Sequence, residues 1–433
     1  MKQILSMTGV AAISGLLAIM SPAYAADLGG NCCADLEERI AELEATTARK
    51  GNRKVSLAIT GHVNHAVLFW DDGHERNTYV TGNKNDQSNF SFTGDAEIAK
   101  GLKAGYAITI RLKDNLSDEV NQNSDDGEAG FVIWESYWFL ESERYGKLSV
   151  GQVSRVSDTA PETDLSESGL PGYAGVQDMG GGFFLRFKSG ALSGITLGDV
   201  YNHFNGDTAN VVRYDTPVIA GFVLSASYGE DDIWDVGGRY EGSFNGIKLA
   251  GAIAYTHSTD GNGLDGSGDA DHRTLVGSFA VLHEPTGLNA LVAAGNRSFD
   301  DAVDDQGLGT LRKPKDAHFI YAKLGWLAKL TSLGPTAFYG EYGRFSNFIS
   351  ATEDFDVFAD AGGGAGAVRI AGNTAQVWGL GVVQHIEAAE MQVYIGYRHH
   401  SFDFDLVDAG GADVAGEPIE DFQSVVVGSK ISF

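Results

Sequence analysis

The sequence ends in VVVGSKISF, Val425–Phe433. Side chains of an extended strand alternate between two faces, so one face carries the odd-numbered residues and ends in Phe433. The other face carries Gly428, Lys430 and Ser432. A soluble β-sandwich also contains half-apolar strands, but its last residue is prone to fray and seldom is an exposed Phe. The stretch therefore favours a strand with one face in an apolar environment, and the rest of the chain has to decide between the two interpretations.

Composition narrows the class of protein. The 433 residues include 57 Gly, only 8 Pro and 10% aromatic residues. After the first two dozen residues, no stretch supplies the roughly 20 consecutive apolar residues that a membrane-spanning helix needs. The aromatic and β-branched content is too high for a disordered chain. These features exclude a helical membrane protein and favour a folded β protein.

The N-terminus has the pattern of an export signal. Lys2 is followed by a short apolar run, Val10–Met20, and by small residues at Ala23 and Ala25. This pattern predicts a signal peptide over residues 1–25, with an uncleaved anchor as the alternative. The adjacent Cys32 and Cys33 would close a strained ring, so we expect them to be unpaired or bridged between subunits.

A short coiled-coil-like helix is predicted within residues 26–51. The stretch ADLEERIAELEATTARK, Ala34–Lys50, keeps a heptad spacing of apolar positions and ends at Gly51. Two heptads are too few to form a stable helix alone. The apolar seam therefore predicts packing either on identical neighbours in an oligomer or on the body of the same chain.

From residue 52 to residue 433, segments of about ten residues alternate in polarity, as in VSLAITGHVNHAVLF, Val55–Phe69. Short links such as SERYGK (Ser142–Lys147) and EPTG (Glu284–Gly287) alternate with long polar loops such as STDGNGLDGSGDADH (Ser258–His272). The architecture of a β-sandwich does not require long loops on every second connection. A transmembrane antiparallel β-barrel has short turns at one end and long loops at the other, and closing it pairs the last strand with the first.

Several stretches of the chain are distinctive when taken together. They are CCADLEERIAELEATTARKGNRKVSLAITGHVN (Cys32–Asn64), GKLSVGQVSRVSD (Gly146–Asp158), ETDLSESG (Glu162–Gly169), NVVRYDTP (Asn210–Pro217), GFVLSASYGEDDIWDVGGRYEG (Gly221–Gly242) and the final Phe. With these stretches the chain resembles the trimeric porins of alphaproteobacteria, within the larger general-porin group. Phe433 also resembles the C-terminal signal by which outer-membrane barrels are recognised for assembly.

The resemblance implies a 16-stranded barrel, a homotrimer and a third outer loop, about 154–208, that folds into the pore. One stretch departs from the pattern: FFLRFKSGALSGITLGDVYNHF, Phe183–Phe204, has the periodicity of two further strands. Eighteen strands are therefore possible, since an antiparallel barrel of this kind closes with any even number of strands. The position of NVVRYDTP favours sixteen.

The predicted function is an outer-membrane porin that passes small hydrophilic solutes and ions by passive diffusion, because a barrel of about 16 strands encloses water. A solute-selective channel is the alternative; a hydrolase of the barrel rim and an envelope tether are remote ones. We find no motif of an enzyme, and expect no cofactor or metal. The net charge of −27 argues against nucleic-acid binding. Expected partners are two further copies, outer-membrane lipid and lipopolysaccharide.

A transverse arrangement of charge is predicted at the narrowest point of the pore. Inward-facing strand positions supply candidate basic residues of the constriction: Arg111, Lys113, Arg213, Arg239 and Arg398. The third loop supplies candidate acidic residues: Asp158, Glu162, Asp164 and Glu167. Each of these residues could instead be a solvated charge elsewhere in the lumen, because water-facing surfaces are normally charged.

Overall fold

The strands expected from the alternating pattern form one antiparallel sheet. A computed structural model describes residues 54–229, 232–259, 271–300, 303–304, 311–312, 314–349, 369–408 and 412–433. The predicted signal peptide, the predicted helix and both cysteines lie outside the described residues. Among the residues described, no helix has the length and apolar character needed to cross a membrane.

Most of the described residues belong to β-strands. In chain order the strands are β1 (Ala58–Asp71), β2 (Arg76–Gly82), β3 (Asn89–Ala99), β4 (Leu102–Lys113), β5 (Gly130–Ser142), β6 (Gly146–Ser154), β7 (Phe184–Arg186), β8 (Leu192–Thr196), β9 (Thr208–Asp215), β10 (Phe222–Gly229), β11 (Ile233–Phe244), β12 (Ile247–Ser258), β13 (His272–His283), β14 (Leu288–Phe299), β15 (Val303–Asp304), β16 (Leu311–Arg312), β17 (Ala317–Thr331), β18 (Gly334–Ser346), β19 (Arg369–Ile386), β20 (Met391–Val407), β21 (Asp413–Val414) and β22 (Phe422–Ser432). The helical elements are α1 (Leu197–Val200) and 3₁₀ turns at Ala160–Glu162, Val176–Asp178 and Glu387–Ala389.

Within the described residues, sixteen strand positions close into a barrel, as expected. Each strand of the barrel pairs with its neighbours in the chain, and β22 pairs with β1. β2 and β3 pair with the two halves of β1 and so share one position. β21 only extends the end of β20, while β7–β8 and β15–β16 form separate two-stranded sheets.

The seam between β1 and β22 closes the sheet at the terminal residue. Val63 lies opposite Ile431, and Phe69 lies opposite Val425. Gly61 N donates to Phe433 O at 3.0 Å, and Phe433 N donates to Gly61 O at 2.9 Å. The ring of Phe433 lies over Gly61, where an added Cβ would come within 2.8 Å of Phe433 Cζ. The C-terminal aromatic therefore locks the first strand to the last.

Inward and outward side chains alternate along every long strand, and β17 shows the contrast most clearly. Phe319, Tyr321 and Lys323 are buried inside, whereas Ile320 and Leu324 point outward and are 51% and 70% exposed. Large apolar side chains exposed to this degree would be unfavourable in water, at about 25 cal/mol per Å². An outer face of this kind is suited to hydrocarbon.

The second strand position is interrupted, which the sequence pattern did not predict. Between β2 and β3, residues 83–88 (NKNDQS) turn into the barrel. Asn83 Nδ2 donates to Tyr394 OH at 2.9 Å, and Asn85 Nδ2 donates to Leu170 O at 3.0 Å. Lys430 Nζ lies 2.6 Å from Asp86 Oδ2. The break therefore places polar side chains in the lumen, against β20, β22 and the long segment after β6.

The segment between β6 and β9 (155–207) packs inside the barrel through an apolar core. Phe183, Tyr201 and Phe204 are almost fully buried against the inner wall. The ring of Phe183 lies 5.0 Å from that of Trp70 on β1, and the ring of Tyr201 lies 4.9 Å from that of Phe345 on β18. We call this segment the insertion.

The strand-like pattern of Phe183–Phe204 has a local explanation. It forms the short hairpin β7–β8 and the helix α1, and this hairpin pairs with itself rather than with the barrel. Alternation arises because one face of the hairpin packs on the apolar core, and not because the segment crosses a membrane. Sixteen strands are therefore confirmed, and the 18-strand alternative is wrong.

Replacing Phe433 by Ala should lower the fraction of folded barrel after refolding into detergent, because the ring that covers Gly61 at the seam is lost. Folding is measured by the difference in gel migration between heated and unheated samples. Phe244→Ala is the matched control, since Phe244 is a similarly exposed aromatic (73% against 67%) at the end of β11 and away from the seam. Equal folded fractions for the two variants would contradict the role of the terminal ring.

Candidate pore constriction

Two cavities remain inside the barrel beside the insertion. The lower cavity, of about 580 Å³, lies near the short-turn ends of the strands, where His385, Gln392 and Lys430 line it. The upper cavity, of about 410 Å³, lies against the inner wall of β4 and β5, where Arg111 and Trp134 line it. The two cavities are the candidate water path through the barrel.

Asn85, Glu162 and Tyr173 line both cavities, so they lie where the cavities meet. Asn85 belongs to the break between β2 and β3, whereas Glu162 and Tyr173 belong to the insertion. A solute that moves directly from one cavity to the other passes these three side chains. They are the candidate constriction, and of the three only Glu162 was singled out from the sequence.

Arg398, a predicted basic residue of the constriction, instead holds the insertion to the wall. Its guanidinium forms an ion pair with Glu341 at 2.8 Å, and both side chains are buried. Its Nη2 donates to Tyr173 O at 3.0 Å and its Nη1 donates to Val176 O at 3.3 Å. Because these N–H groups all donate to protein atoms, Arg398 holds the backbone of the insertion in position against the wall.

Arg213 and Arg239 hold the start of the insertion in a similar way. Arg213 Nη1 donates to Arg155 O at 3.2 Å, and its Nη2 pairs with Asp215 at 2.8 Å. Arg239 Nη2 donates to the main-chain oxygen of Asp158. Neither arginine lines the lower or the upper cavity.

Lys113 and Arg111 occupy equivalent positions on one face of β4 but differ in their surroundings. Lys113 Nζ lies 3.6 Å from Glu119 and 3.6 Å from Glu128, in the loop that follows β4. The guanidinium of Arg111 stacks 3.3 Å over the ring of Trp134 and lines the upper cavity. Of the five predicted basic residues, Arg111 alone lines either of the two cavities.

The four predicted acidic residues all line a cavity. Asp158 lines the upper cavity, Asp164 and Glu167 line the lower one, and Glu162 lines both. Burial raises the pKa of the Asp158 carboxyl. Burial would also raise the pKa of Asp164, but Lys323, with Nζ at 2.7 Å and only 1% of its side chain exposed, outweighs burial and lowers it.

His203 and Asp178 are charged lumen residues that the sequence analysis missed. His203 Nε2 lies 2.6 Å from Glu162 Oε1. Burial alone would lower the pKa of His203, but the hydrogen bond with Glu162 and the charge of Glu162 outweigh it and raise the pKa. Burial raises the pKa of Asp178 to about 7, and the nearby Asp118 adds to this, although His203 and Lys84 oppose it.

Little in the sequence could have identified these residues. His203 and Asp178 lie in irregular parts of the insertion, where no period indicates which way a side chain points. Lys84 and Asp86 follow Gly82 in a polar run, GNKNDQS, which is a turn signal that could have indicated a break in the strand. Among the described residues, no group of three or more His, Cys, Asp or Glu side chains is placed to hold a metal ion.

Comparison with known proteins agrees with the closed barrel and its water-lined interior. The family model described as Gram-negative porin matches residues 10–411. The chain belongs to the Gram-negative porin family. The protein is therefore a multi-pass outer-membrane protein that forms a passive, water-filled channel for small hydrophilic solutes and ions. The narrower resemblance to alphaproteobacterial porins stays a prediction.

Individual relatives are distant. A chitoporin of Vibrio furnissii is 24% identical over 296 residues, which is 59% of this chain and 73% of that protein. OmpT, an outer membrane protein of Vibrio cholerae, has a TM-score of 0.51 at 13% identity, covering 89% of this chain and 99% of its own. An anion-selective porin from Comamonas acidovorans has a TM-score of 0.51 at 17% identity, covering 88% and 100%. At these identities, the solved structures support the fold alone.

Replacing Asp164 by Asn should loosen the insertion, because it removes the negative charge that compensates the buried ammonium of Lys323, which also donates to Gly172 O at 2.7 Å. Removing one partner of a buried ion pair costs about 3–5 kcal/mol. We expect a lower melting temperature of the detergent-solubilised protein and noisier single-channel current.

The matched control for that variant is Glu284→Gln. It breaks the pair Lys248–Glu284 at 3.5 Å, in which both side chains are about half exposed. Such pairs contribute roughly 0–1 kcal/mol, so stability and current should hardly change. The double variant of Asp164→Asn with Lys323→Met should recover much of the loss, since it removes the unpaired charge. If Asp164→Asn behaved like Glu284→Gln, the pair would not hold the insertion.

Cation preference should increase as the pH rises from about 6 to about 8, because the upper cavity becomes more negative. Asp178 has a pKa of about 7 and loses its proton within this pH range. His203 has a pKa above its ordinary value and loses its positive charge as the pH rises through that pKa. Both changes make the charge of the cavity more negative. Zero-current potentials in a KCl gradient measure the effect, and Asp178→Asn should reduce it. A potential independent of pH in the unmodified protein would show that neither group faces the ion path.

Proposed function

We propose that the protein is a general diffusion channel with a modest preference for cations, narrowest at Asn85, Glu162 and Tyr173. The observation that carries this proposal is the surplus of acidic side chains around both cavities. The lower cavity has the acidic residues Asp86, Glu162, Asp164 and Glu167 beside Lys430 and His385. The upper cavity has Glu135, Asp158, Glu162, Asp178 and Asp207 beside Lys84, Arg111 and His203.

Pairing reduces the effective charge without removing the surplus. In the lower cavity, Lys430 compensates Asp86 at 2.6 Å, and Lys323 compensates Asp164 at 2.7 Å. Among the described residues, the ion-pair partner of Glu167 is the imidazole of His385, at 3.5 Å. Fixed charge in a narrow, water-filled passage concentrates ions of the opposite sign. The lining therefore supports cation preference.

The proposed assembly is a homotrimer in the outer membrane. Three features support it: the heptad seam predicted within residues 26–51, the signal peptide predicted over residues 1–25, and the outward band of exposed apolar side chains. The acidic outer loops would face lipopolysaccharide, either through shared divalent cations or as hydrated surfaces. The proposal assigns no catalytic step to the chain.

A solute-selective channel is the second candidate, and the likeness to a chitoporin favours it. The two candidates differ in how flux depends on solute concentration. Flux of a neutral sugar through a general porin rises linearly, whereas its flux through a sugar-selective channel saturates because the sugar binds.

Replacing Arg111 by Ser should increase cation preference, because it removes a guanidinium that lines the upper cavity. Lys113→Ser is the matched control, since Lys113 lies two residues away on the same face of β4 but is paired with Glu119 and Glu128. Glu162→Gln should change selectivity in the opposite direction. Zero-current potentials in a KCl gradient across a planar bilayer measure all three variants.

Two outcomes of these recordings would contradict the proposal. An unmodified channel that prefers chloride would show that the acidic surplus does not face the ion path. Equal shifts for Arg111→Ser and Lys113→Ser would show that the upper cavity, which Arg111 lines, does not determine the ion preference.

A further inference from the structure

We propose that the upper cavity binds zwitterionic solutes of the amino-acid class, through Arg111 on one side and the carboxylates of Asp178 and Asp207 on the other. This inference rests on the proposed function, because the solute reaches the cavity only through an open channel. It adds a solute class to that function and a chemical reason for the class.

The donors of Arg111 are free. Its guanidinium stacks with one face over Trp134, at 3.3 Å, and no hydrogen bond or ion pair to it is found among the described residues. The N–H groups of a guanidinium point outward in its plane, so stacking leaves them available. A guanidinium with free donors at the wall of a cavity can bind a carboxylate in a bidentate manner.

Two carboxylates of the same cavity are equally free. Within the described part of the chain, the side chains of Asp178 and Asp207 accept no hydrogen bond and have no cation within 4.0 Å. By contrast, other charged groups of the lining are engaged with neighbours: Lys84 with Asp118 at 2.8 Å, and Glu162 with His203 at 2.6 Å. The upper cavity therefore holds unpaired groups of both charges: the guanidinium of Arg111 and the carboxylates of Asp178 and Asp207.

The free groups of opposite sign line the same cavity without forming an ion pair. Arg111 is the cation with the largest electrostatic effect on the Asp207 carboxyl. No ion pair within 4.0 Å joins them in the described residues, so a gap remains between donor and acceptor. A solute with a carboxylate and an ammonium group can fill that gap and pair with both sides. A simple cation or a simple anion pairs with only one.

Amide groups complete the lining. Asn85, Gln177, Asn202 and Asn205 also border the cavity. Such groups donate and accept hydrogen bonds and carry no net charge, so they suit the remaining polar atoms of an amino acid. The volume of about 410 Å³ is small for a ligand pocket, which limits the solute to a small molecule.

The test measures entry of radiolabelled alanine into proteoliposomes that contain the intact protein, at about pH 8, where Asp178 is ionised. Glycerol entry, measured in parallel, reports the open channel independently of charge. Alanine entry should saturate with concentration, and glycerol entry should stay linear. Unlabelled propionate and ethylamine, which each keep only one of the two charges, should compete less well than unlabelled alanine.

Two variants locate the site. Arg111→Gln and Asp178→Asn should each raise the half-saturating alanine concentration about threefold, as expected for one ion pair in water-accessible surroundings. Glycerol entry should stay linear with concentration, which shows that both variants still form an open channel. Lys113→Gln is the matched control and should change neither measurement, because Lys113 is held by Glu119 and Glu128 outside the cavity.

The outcomes separate this inference from the proposed function. Absence of glycerol entry with the unmodified protein would overturn the channel itself. Linear alanine entry beside normal glycerol entry would overturn only the binding site. Competition by ethylamine as strong as by alanine would show a cation site in which Arg111 takes no part, which also overturns the zwitterion class.

Discussion

The structure depends on one constraint, which is that hydrocarbon offers no hydrogen-bond partner to the backbone. Every strand must therefore pair on both edges, and the sheet has to close on itself. The mutual hydrogen bonds of Gly61 and Phe433 end that closure at the last residue of the chain. Because sixteen strands enclose more space than wall side chains can fill, the interior is left to water and to the insertion.

The insertion is held by two kinds of contact that have different consequences. Its apolar residues, including Phe183 and Tyr201, pack on the inner wall as the core of a soluble protein does. Its backbone is held by buried charges, of which the pair Arg398–Glu341 is the most enclosed. Packing fixes where the insertion lies, and the directed hydrogen bonds fix which of its side chains face the water. Selectivity therefore depends on residues that no solute touches.

The barrel could be predicted from the sequence because alternation is a local property: each strand shows its two faces within about ten residues. The same property marks Arg398 as inward-facing, and it does point inward. It could not show that the insertion covers Arg398, since Tyr173 and Val176 are more than two hundred positions away. All four predicted loop acids line a cavity, and their role in a constriction stays a prediction. The break at 83–88 was missed because the strands on either side of it keep the regular pattern.

The contacts of the insertion also constrain the order of events during folding. Residues of the insertion contact Arg398 and Phe422, which lie more than two hundred positions later in the chain. The insertion therefore reaches its final packing only when β20 and β22 are in place. Closure of the sheet and packing of its interior are coupled in this way, so a substitution in the middle of the chain affects the pairing of the first and last strands.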